Sequence, residues 1–406
     1  MKMWTGQTVS LLGSQITLLA LPLAAILLFK ASAFQVGLLS TVEFLPFVLF
    51  GLPAGVWVDR MRRKPVLVVA DLGRFAVLGS IPMAYAFGVL TLTQLYVAAF
   101  LAGVFTVFFD VAYAAYLPAL VNRRRIVEGN SKLETSRSGA QLAGPGIAGL
   151  LVQAFGAAVA ILADAVSYVV SVVSLLSIRS AEPPPAKEEG PRSSMRRQIA
   201  DGLRYVLGNE YLRPINACTG SLNLFSMMAQ AVLLLFAVRQ LGLSPGAIGG
   251  ILTAGNVGFL AGAFVAGRIG RRLGVGPTLI GAALLIGVGG VFIPLATRST
   301  ALPMLAVYGV LGSFGGVVYN VNGRSLVQSI TPDGMLGRTV ATNRFIVWGT
   351  IPIGAFLGGL LGSRIGLRPT LWIAAAGMVS AFLPPLLSPV RTLIDMPNLD
   401  SSSTVG

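Results

Sequence analysis

Long apolar runs separated by short charged breaks set the pattern of this chain. A run of about 20 apolar residues crosses a bilayer as a helix. Twelve such runs are present, at 8–29, 35–58, 66–88, 92–118, 138–155, 157–178, 214–238, 245–267, 276–297, 301–323, 338–362 and 367–390. Span 1 is too long for a removable signal peptide and lacks a small-residue cleavage site, so it reads as a retained helix. The weakest break is Phe155-Gly156, between spans 5 and 6. Merging those two would leave 41 residues to cross the bilayer once, which is too many.

The breaks are basic, and alternate ones carry most of the charge. With the N-terminus in the cytoplasm, 25 of the 30 Lys and Arg residues fall on the inner side. They include Arg60, Arg62, Arg63 and Lys64, then Arg123, Arg124 and Arg125, then Arg271 and Arg272. The outer loops carry only Lys30, Arg239, Arg298, Arg364 and Arg368. This asymmetry orients membrane proteins, and an odd number of spans would scramble it. The expectation is a multi-pass protein of the inner (cytoplasmic) cell membrane with both termini cytoplasmic.

The longest polar segment is 179–213. It opens with Pro183-Pro184-Pro185 and a Glu/Lys-rich stretch, which reads as a linker. From Ser193 to Asn209 the residues Met195, Ile199, Leu203 and Val206 recur at helical spacing, with Arg196, Arg197, Asp201 and Arg204 elsewhere on the wheel. That pattern fits a short amphipathic helix at the inner membrane surface or a solvated linker helix. The expected organisation is a six-helix half over 1–178, a linker over 179–213, a second half over 214–390 and a cytoplasmic tail over 391–406.

Composition removes whole classes of function. Charged residues make up 11% of the chain, against about 25% in ordinary soluble domains, and the mean hydropathy is +0.79. A soluble or disordered chain is excluded. The net charge of +15 would suggest nucleic acid in a soluble protein. Mapped onto the spans it encodes orientation and contact with anionic lipid head groups instead. Histidine is absent and Cys218 is the single cysteine. Zinc sites of His and Cys and Ser-His-Asp catalysis are therefore impossible. A phosphate-binding Gly-x4-Gly-Lys-Ser/Thr loop is also missing. Neither cofactor nor metal is expected, and no enzymatic activity.

The two halves are related. Displacing one against the other aligns Gly37 with Gly249, Thr41 with Thr253, Arg60 with Arg272 and Pro65 with Pro277. Smaller displacements align Leu117 with Leu326 and Pro145 with Pro352. Six spans plus six in the same orientation make a parallel repeat. The loop between spans 2 and 3 reads Gly51-x3-Gly55-x3-Asp59-Arg60-x-Arg62-Arg63-Lys64. With this loop the chain resembles the major facilitator superfamily over nearly its whole length, departing from the loop signature at Arg62, where Gly is usual. The resemblance implies an all-α integral membrane fold of twelve transmembrane helices in two six-helix repeats.

It also implies roles. Gly51 and Gly55 should let span 2 approach a neighbour closely. Gly55, Asp59, Arg60, Arg63 and Lys64 would form a conformational latch, with Arg338 and Arg344 near the start of span 11 as partners. Gly139-x4-Gly144-Pro145-x2-Ala148-Gly149 in span 5 is similar to the antiporter signature of drug exporters, with Gly144, Pro145 and Gly149 as its core. Phe109-Asp110-x2-Tyr113-x2-Tyr116 and Tyr319-Asn320-x-Asn322-x-Arg324 resemble the branch that includes macrolide-efflux and enterobactin-export proteins, a drug:proton antiporter subfamily.

Charges inside spans are costly and are functional candidates by default. Glu43 lies about two turns into span 2, which lines the central cavity in this superfamily. It reads as a proton or substrate-coupling group, or as a structural cap. Asp110 in span 4, with Tyr113 and Tyr116 taken to share its face, reads as a gate or proton relay, or as half of a structural pair. Asp164 in span 6 reads as helix glue, and Asp71 with Arg74 as a local pair supporting the Asp59 loop. Polar and aromatic cavity candidates are Gln15, Tyr113, Tyr116, Asn223, Gln230, Asn256, Tyr319, Asn322 and Trp348. As a set they suit a bulky, mostly apolar substrate. The expected function is proton-coupled export of a small amphipathic molecule by a protein acting as a monomer. An importer or a flippase for lipid-like molecules on the same fold is the alternative.

Overall fold

A computed structural model describes residues 2–120, 126–178 and 195–395. The start of the linker, with Pro183–Pro185, the basic run Arg123–Arg125 and most of the tail lie outside the described residues. Among the described residues there are fourteen α-helices and no strand. They are α1 (Lys2–Leu28), α2 (Ala33–Asp59), α3 (Arg63–Ala86), α4 (Leu92–Leu120), α5 (Ile126–Phe155), α6 (Ala157–Leu176) and α7 (Met195–Gly208). Then follow α8 (Leu212–Arg239), α9 (Pro245–Leu273), α10 (Val275–Leu295), α11 (Ala301–Ile330), α12 (Asp333–Arg364), α13 (Leu367–Ser380) and α14 (Leu383–Leu386).

Eleven stretches among the described residues are long and apolar enough to cross a membrane. The last, Leu367–Leu386, runs through α13 and α14. The expected fifth span lies in α5, whose first half carries Lys132, Glu134 and Arg137. That polar half keeps α5 below the apolarity of the other spans, and the helix is nonetheless continuous to Phe155.

The break between spans 5 and 6 is a backbone event. Gly156 has φ 84° and ψ 162°, a region open in practice to glycine alone, and α6 starts at the next residue. The same device recurs at Gly366, φ 94°, before α13. At the C-terminal end of α1 the chain turns into α2 through a capping box. Ser32 Oγ accepts from the Gln35 amide and Gln35 Oε1 accepts from the Ser32 amide at 2.8 Å.

The chain divides into two compact bodies. One comprises Met1–Glu189 with Gly242–Thr253, the other Gly190–Leu241 with Ala254–Gly406. In the first, α6 packs on α1 and α3, α4 on α2 and α3, and α5 on α1. In the second, α13 packs on α8 and α10, α11 on α10, and α12 on α8. These are corresponding pairs, so the parallel repeat read from the sequence is a repeat of packing. Small residues set the close approaches. A Cβ at Gly144 would collide with the Gln15 side chain, and one at Gly358 with the Met228 carbonyl. Large apolar side chains such as Phe87, Leu150, Val173 and Phe264 point outward and are exposed. Such a surface belongs in lipid, where it costs nothing to leave uncovered.

The linker helix α7 does more than lie on a surface. Val206 is fully buried among Leu212, Ile215 and Ile330, and the Tyr205 hydroxyl donates to the Ile330 carbonyl at 3.1 Å. Leu203 and Leu207 remain exposed on the other side. Burial pushes the Tyr205 phenol above its ordinary value. The beginning of the expected tail is also packed. The carbonyls of Leu393 and Ile394 accept from the amides of Gly276 and Val275, satisfying donors that the start of α10 would otherwise leave unpaired.

Gly156→Val should destabilise the protein by about 1–3 kcal/mol through its forced backbone geometry. The measurement is the melting temperature of the purified protein in detergent, and the expected result is a lower Tm.

Candidate functional site

Glu43 sits on α2 where α4 comes closest. A Cβ at Gly103 of α4 would lie 2.7 Å from the Glu43 carbonyl oxygen and 2.9 Å from Pro46 Cγ. Gly103 therefore permits a backbone approach that any other residue would prevent. The Glu43 side chain is half-buried, and among the described residues no hydrogen-bond donor or cation reaches its carboxylate. An in-span carboxylate without a protein partner is available to a proton or to a substrate.

Asp110 is exposed on α4. The residue before it, Phe109, is buried and stacks on Tyr113 with 5.6 Å between ring centres. Tyr113 is half-buried, and among the described residues its buried hydroxyl has no hydrogen-bond partner. Tyr116 behaves differently from the sequence expectation. It is fully buried beside Val58, Leu67, Ala70 and Ala112. At 3.6 residues per turn each three-residue step falls back by about 60°, so the sixth residue lies about 120° from the first. Asp110 and Tyr113 form one edge, and Tyr116 belongs to the core behind it.

The latch residues are only partly joined. Lys64 Nζ donates to the Ile178 carbonyl at 2.7 Å, tying the first turn of α3 to the residues just after α6. Arg60 is exposed and Arg63 half-buried. The side chains of Asp59, Arg338 and Arg344 lie outside the described residues. No described atom lies within 4 Å of a Cβ built at Gly51 or Gly55. Among the described residues the tight contact of α2 is with α4, nearer the N-terminal end of α2, at Gly103.

The Gly144-Pro145-Gly149 stretch of α5 is a contact surface on two sides. Gly144 receives the Gln15 side chain of α1. Gly149 faces the first turns of α9, where a Cβ would collide with the Pro245 carbonyl and come within 2.9 Å of Gly249 Cα. A Cβ at Gly249 would in turn collide with the Pro145 carbonyl. Gln153 Oε1 accepts from the Gly246 amide at 3.0 Å and closes the outer end of this seam. Two backbones meet here with no side chain between them, an arrangement that small residues make possible.

The remaining cavity candidates fall into two groups. Tyr319 is buried and donates to the Ile215 carbonyl at 3.2 Å, with Thr219 Oγ1 at 2.9 Å. Asn322 is buried and donates to the carbonyls of Ala266 at 3.2 Å and Val318 at 2.9 Å. Both staple α11 to neighbouring helices, so neither is open to a ligand. Gln15, Asn223, Asn256 and Trp348 are half-buried and Gln230 is exposed. Asn223 spends one amide hydrogen on the Thr219 carbonyl of its own helix, at 2.9 Å.

Asp71 and Arg74 form a pair. The pair is buried at the junction of α3 and α6, together with Asp164. Their spacing signalled the pair, but nothing in the sequence signalled that Asp164 joins it.

Over residues 1–404 the chain matches the family described as transmembrane secretion effector. It is similar to the multidrug efflux pump Tap of Mycolicibacterium fortuitum, 26% identical over 391 residues, which cover 92% of this chain and 93% of that protein. It is also similar to macrolide efflux protein A of Streptococcus pyogenes, 24% identical over 398 residues, 96% of each chain. Among solved structures, a bacterial homologue of the iron transporter ferroportin in its inward-facing state superposes with a TM-score of 0.76 at 16% identity. That match covers 95% of this chain and 97% of the other. A bacterial homologue of the human lysosomal transporter Spinster superposes with a TM-score of 0.74 at 13% identity, covering 95% of each. At such identities the structures speak for the fold alone. With two repeated six-helix halves and a match running from end to end, the chain belongs to the transmembrane secretion effector family of major facilitator superfamily transporters.

Proposed function

We propose that this protein is a proton-coupled exporter of bulky, amphipathic small molecules. The observation that carries the reading is its end-to-end likeness to two efflux pumps, with more than nine-tenths of each chain aligned. The geometry adds a reason for proton coupling. Glu43 is a half-buried carboxylate that no described donor or cation satisfies, and the exposed Asp110 edge with Tyr113 offers a second anionic position. Export by rocking of two repeated halves requires no covalent chemistry and no cofactor. We place both termini in the cytoplasm on the charge asymmetry of the loops, and expect a monomer in contact with anionic lipid.

Efflux of ethidium, measured in a host stripped of its own pumps, should stop when the pH gradient is collapsed. Persistence would sink the antiport mechanism. Glu43→Gln and Asp110→Asn should each reduce gradient-driven efflux, and wild-type rates in both would remove these carboxylates from coupling. Gly149→Leu should abolish efflux at normal membrane abundance, because its side chain has no space against Pro245 and Gly249.

Cys218, the chain's single cysteine, is buried, so topology can be read by labelling introduced cysteines. Ser299→Cys should react with an impermeant maleimide in intact cells and Arg62→Cys only after lysis. The reverse pattern would invert the proposed orientation.

A further inference from the structure

The first body encloses a group of ionisable side chains that the exporter reading leaves unused. Asp71 and Asp164 are 0% exposed and Arg74 is 4% exposed. Arg74 pairs with Asp71 through Asp71 Oδ1. Its guanidinium lies between two aromatic rings, 4.3 Å from the centre of Phe109 on α4 and 4.3 Å from that of Tyr168 on α6. Asp164 is surrounded by hydroxyls. It accepts from Thr17 of α1, from Ser167 at 3.2 Å and from Tyr168 at 3.3 Å. The Tyr168 hydroxyl in turn lies 3.0 Å from Ser14 Oγ. Ser171 of α6 lies beside Asp71 as a further hydroxyl, and among the described residues Asp71 Oδ2 and Arg74 Nε are buried without a partner in hydrogen-bonding geometry.

Among the described residues the ionisable groups facing this interior are Asp71 and Arg74 from α3 and Asp164 and Tyr168 from α6; Asp110 of α4, itself exposed, acts on Arg74 electrostatically. Helix α1 presents only the hydroxyls of Ser14 and Thr17. Two buried carboxylates therefore share one buried cation. Asp71 holds that cation directly, and Asp164 meets neutral donors alone among its hydrogen-bond partners. A net negative charge enclosed within membrane-spanning helices is costly. A proton on Asp164 removes it while the surrounding hydroxyls remain as partners.

The second body indicates that packing does not require these charges. Helix starts pair Arg63 with Val275 and Ala157 with Leu367. In those registers Asp71, Arg74, Asp164 and Tyr168 correspond to Ala283, Ile286, Ala374 and Met378. Ser226 Oγ meets Met378 Sδ at 3.3 Å where Ser14 meets Tyr168 in the first body. The equivalent junction of α8, α10 and α13 is thus built from alanine, isoleucine and methionine, with Ala283, Ala374 and Met378 at most 1% exposed. Apolar residues commonly replace a buried ion pair without loss of stability. The charged version in the first body is a departure from a packing solution that the same fold already contains.

We propose that the Asp71–Arg74–Asp164 cluster is a proton-binding site, with the exchangeable proton on Asp164. The bond that breaks on release is the Asp164 O–H. The proton passes to water, and the resulting carboxylate shares Arg74 with Asp71. That state carries the uncompensated charge, so release requires water to reach the junction of α1, α3 and α6, and rebinding follows when it closes again. Its use in driving export rests on the exporter reading; the proton site itself does not.

The test is infrared difference spectroscopy of the full-length protein in phosphatidylcholine vesicles, titrated with pH. Wild type should show a protonated-carboxyl C=O band at neutral pH that shifts in heavy water and bleaches as pH rises. Asp164→Asn should lose it, and Glu43→Gln should keep it. Asp71→Asn is a second route that leaves Asp164 in place. It frees Arg74 to neutralise the Asp164 carboxylate, so the acid band should disappear there too. A band undiminished in Asp164→Asn, or one that survives in Asp71→Asn, would overturn the assignment. Ethidium efflux is measured on the same preparations. Its absence from wild type would count against the exporter reading and leave the infrared assignment standing.

Discussion

Two helices that touch inside a bilayer exchange lipid contact for protein contact and gain little hydrophobic free energy in doing so. What holds them is van der Waals packing at short range, and this depends on how closely their backbones can approach. Glycine sets that distance throughout this protein. Gly103 brings α4 against the Glu43 carbonyl, Gly144 accepts the Gln15 side chain, and Gly149 meets Gly249 with no side chain between them. In the second body Gly354 and Gly358 bring α12 against the carbonyls of Leu224 and Met228. Large apolar side chains such as Phe87, Leu150, Val173 and Phe264 cover the outward surface, where they meet lipid.

This packing also decides where polar groups can be functional. Tyr319 and Asn322 carry the polar atoms expected of a cavity lining, yet their hydrogen bonds go to backbone carbonyls of neighbouring helices. They repair and fasten helix contacts. Among the described residues Glu43 has no such engagement, and Tyr113 keeps a buried hydroxyl without a partner. Polar residue type alone does not separate these two situations, because both put oxygen and nitrogen into a hydrophobic span. The distinction is whether a neighbouring helix brings a group of complementary hydrogen-bonding kind within reach.

The repeat gives an internal control that a single bundle would lack. Corresponding helices pair in the same way in both bodies, so a feature present at one junction and missing from its counterpart is not demanded by the architecture. The α3–α6 junction holds two carboxylates and a guanidinium, while the α10–α13 junction holds alanine, isoleucine and methionine. Helix α7 is a second asymmetric element. Through Val206 and the Tyr205 hydroxyl it makes the linker part of the second body.

From the sequence alone the hydropathy pattern defined the spans, the loop charges argued an orientation, and matched Gly, Arg and Pro positions revealed the repeat. These are properties of single segments in a bilayer, where length and polarity govern each helix by itself. The break at Gly156 was visible as a residue, although its cause, a positive φ, belongs to the folded backbone. Glu43, Asp110 and Asp164 were legible as rare in-span charges. Which of them had partners was not, nor that Tyr116 turns into the core, nor that the tight contact of α2 with α4 falls at Gly103. Those outcomes depend on which helix lies beside which, and at what distance. Asp71, Arg74 and Asp164 become one cluster only when α3 packs against α6, a contact between residues about 90 positions apart that no local periodicity encodes.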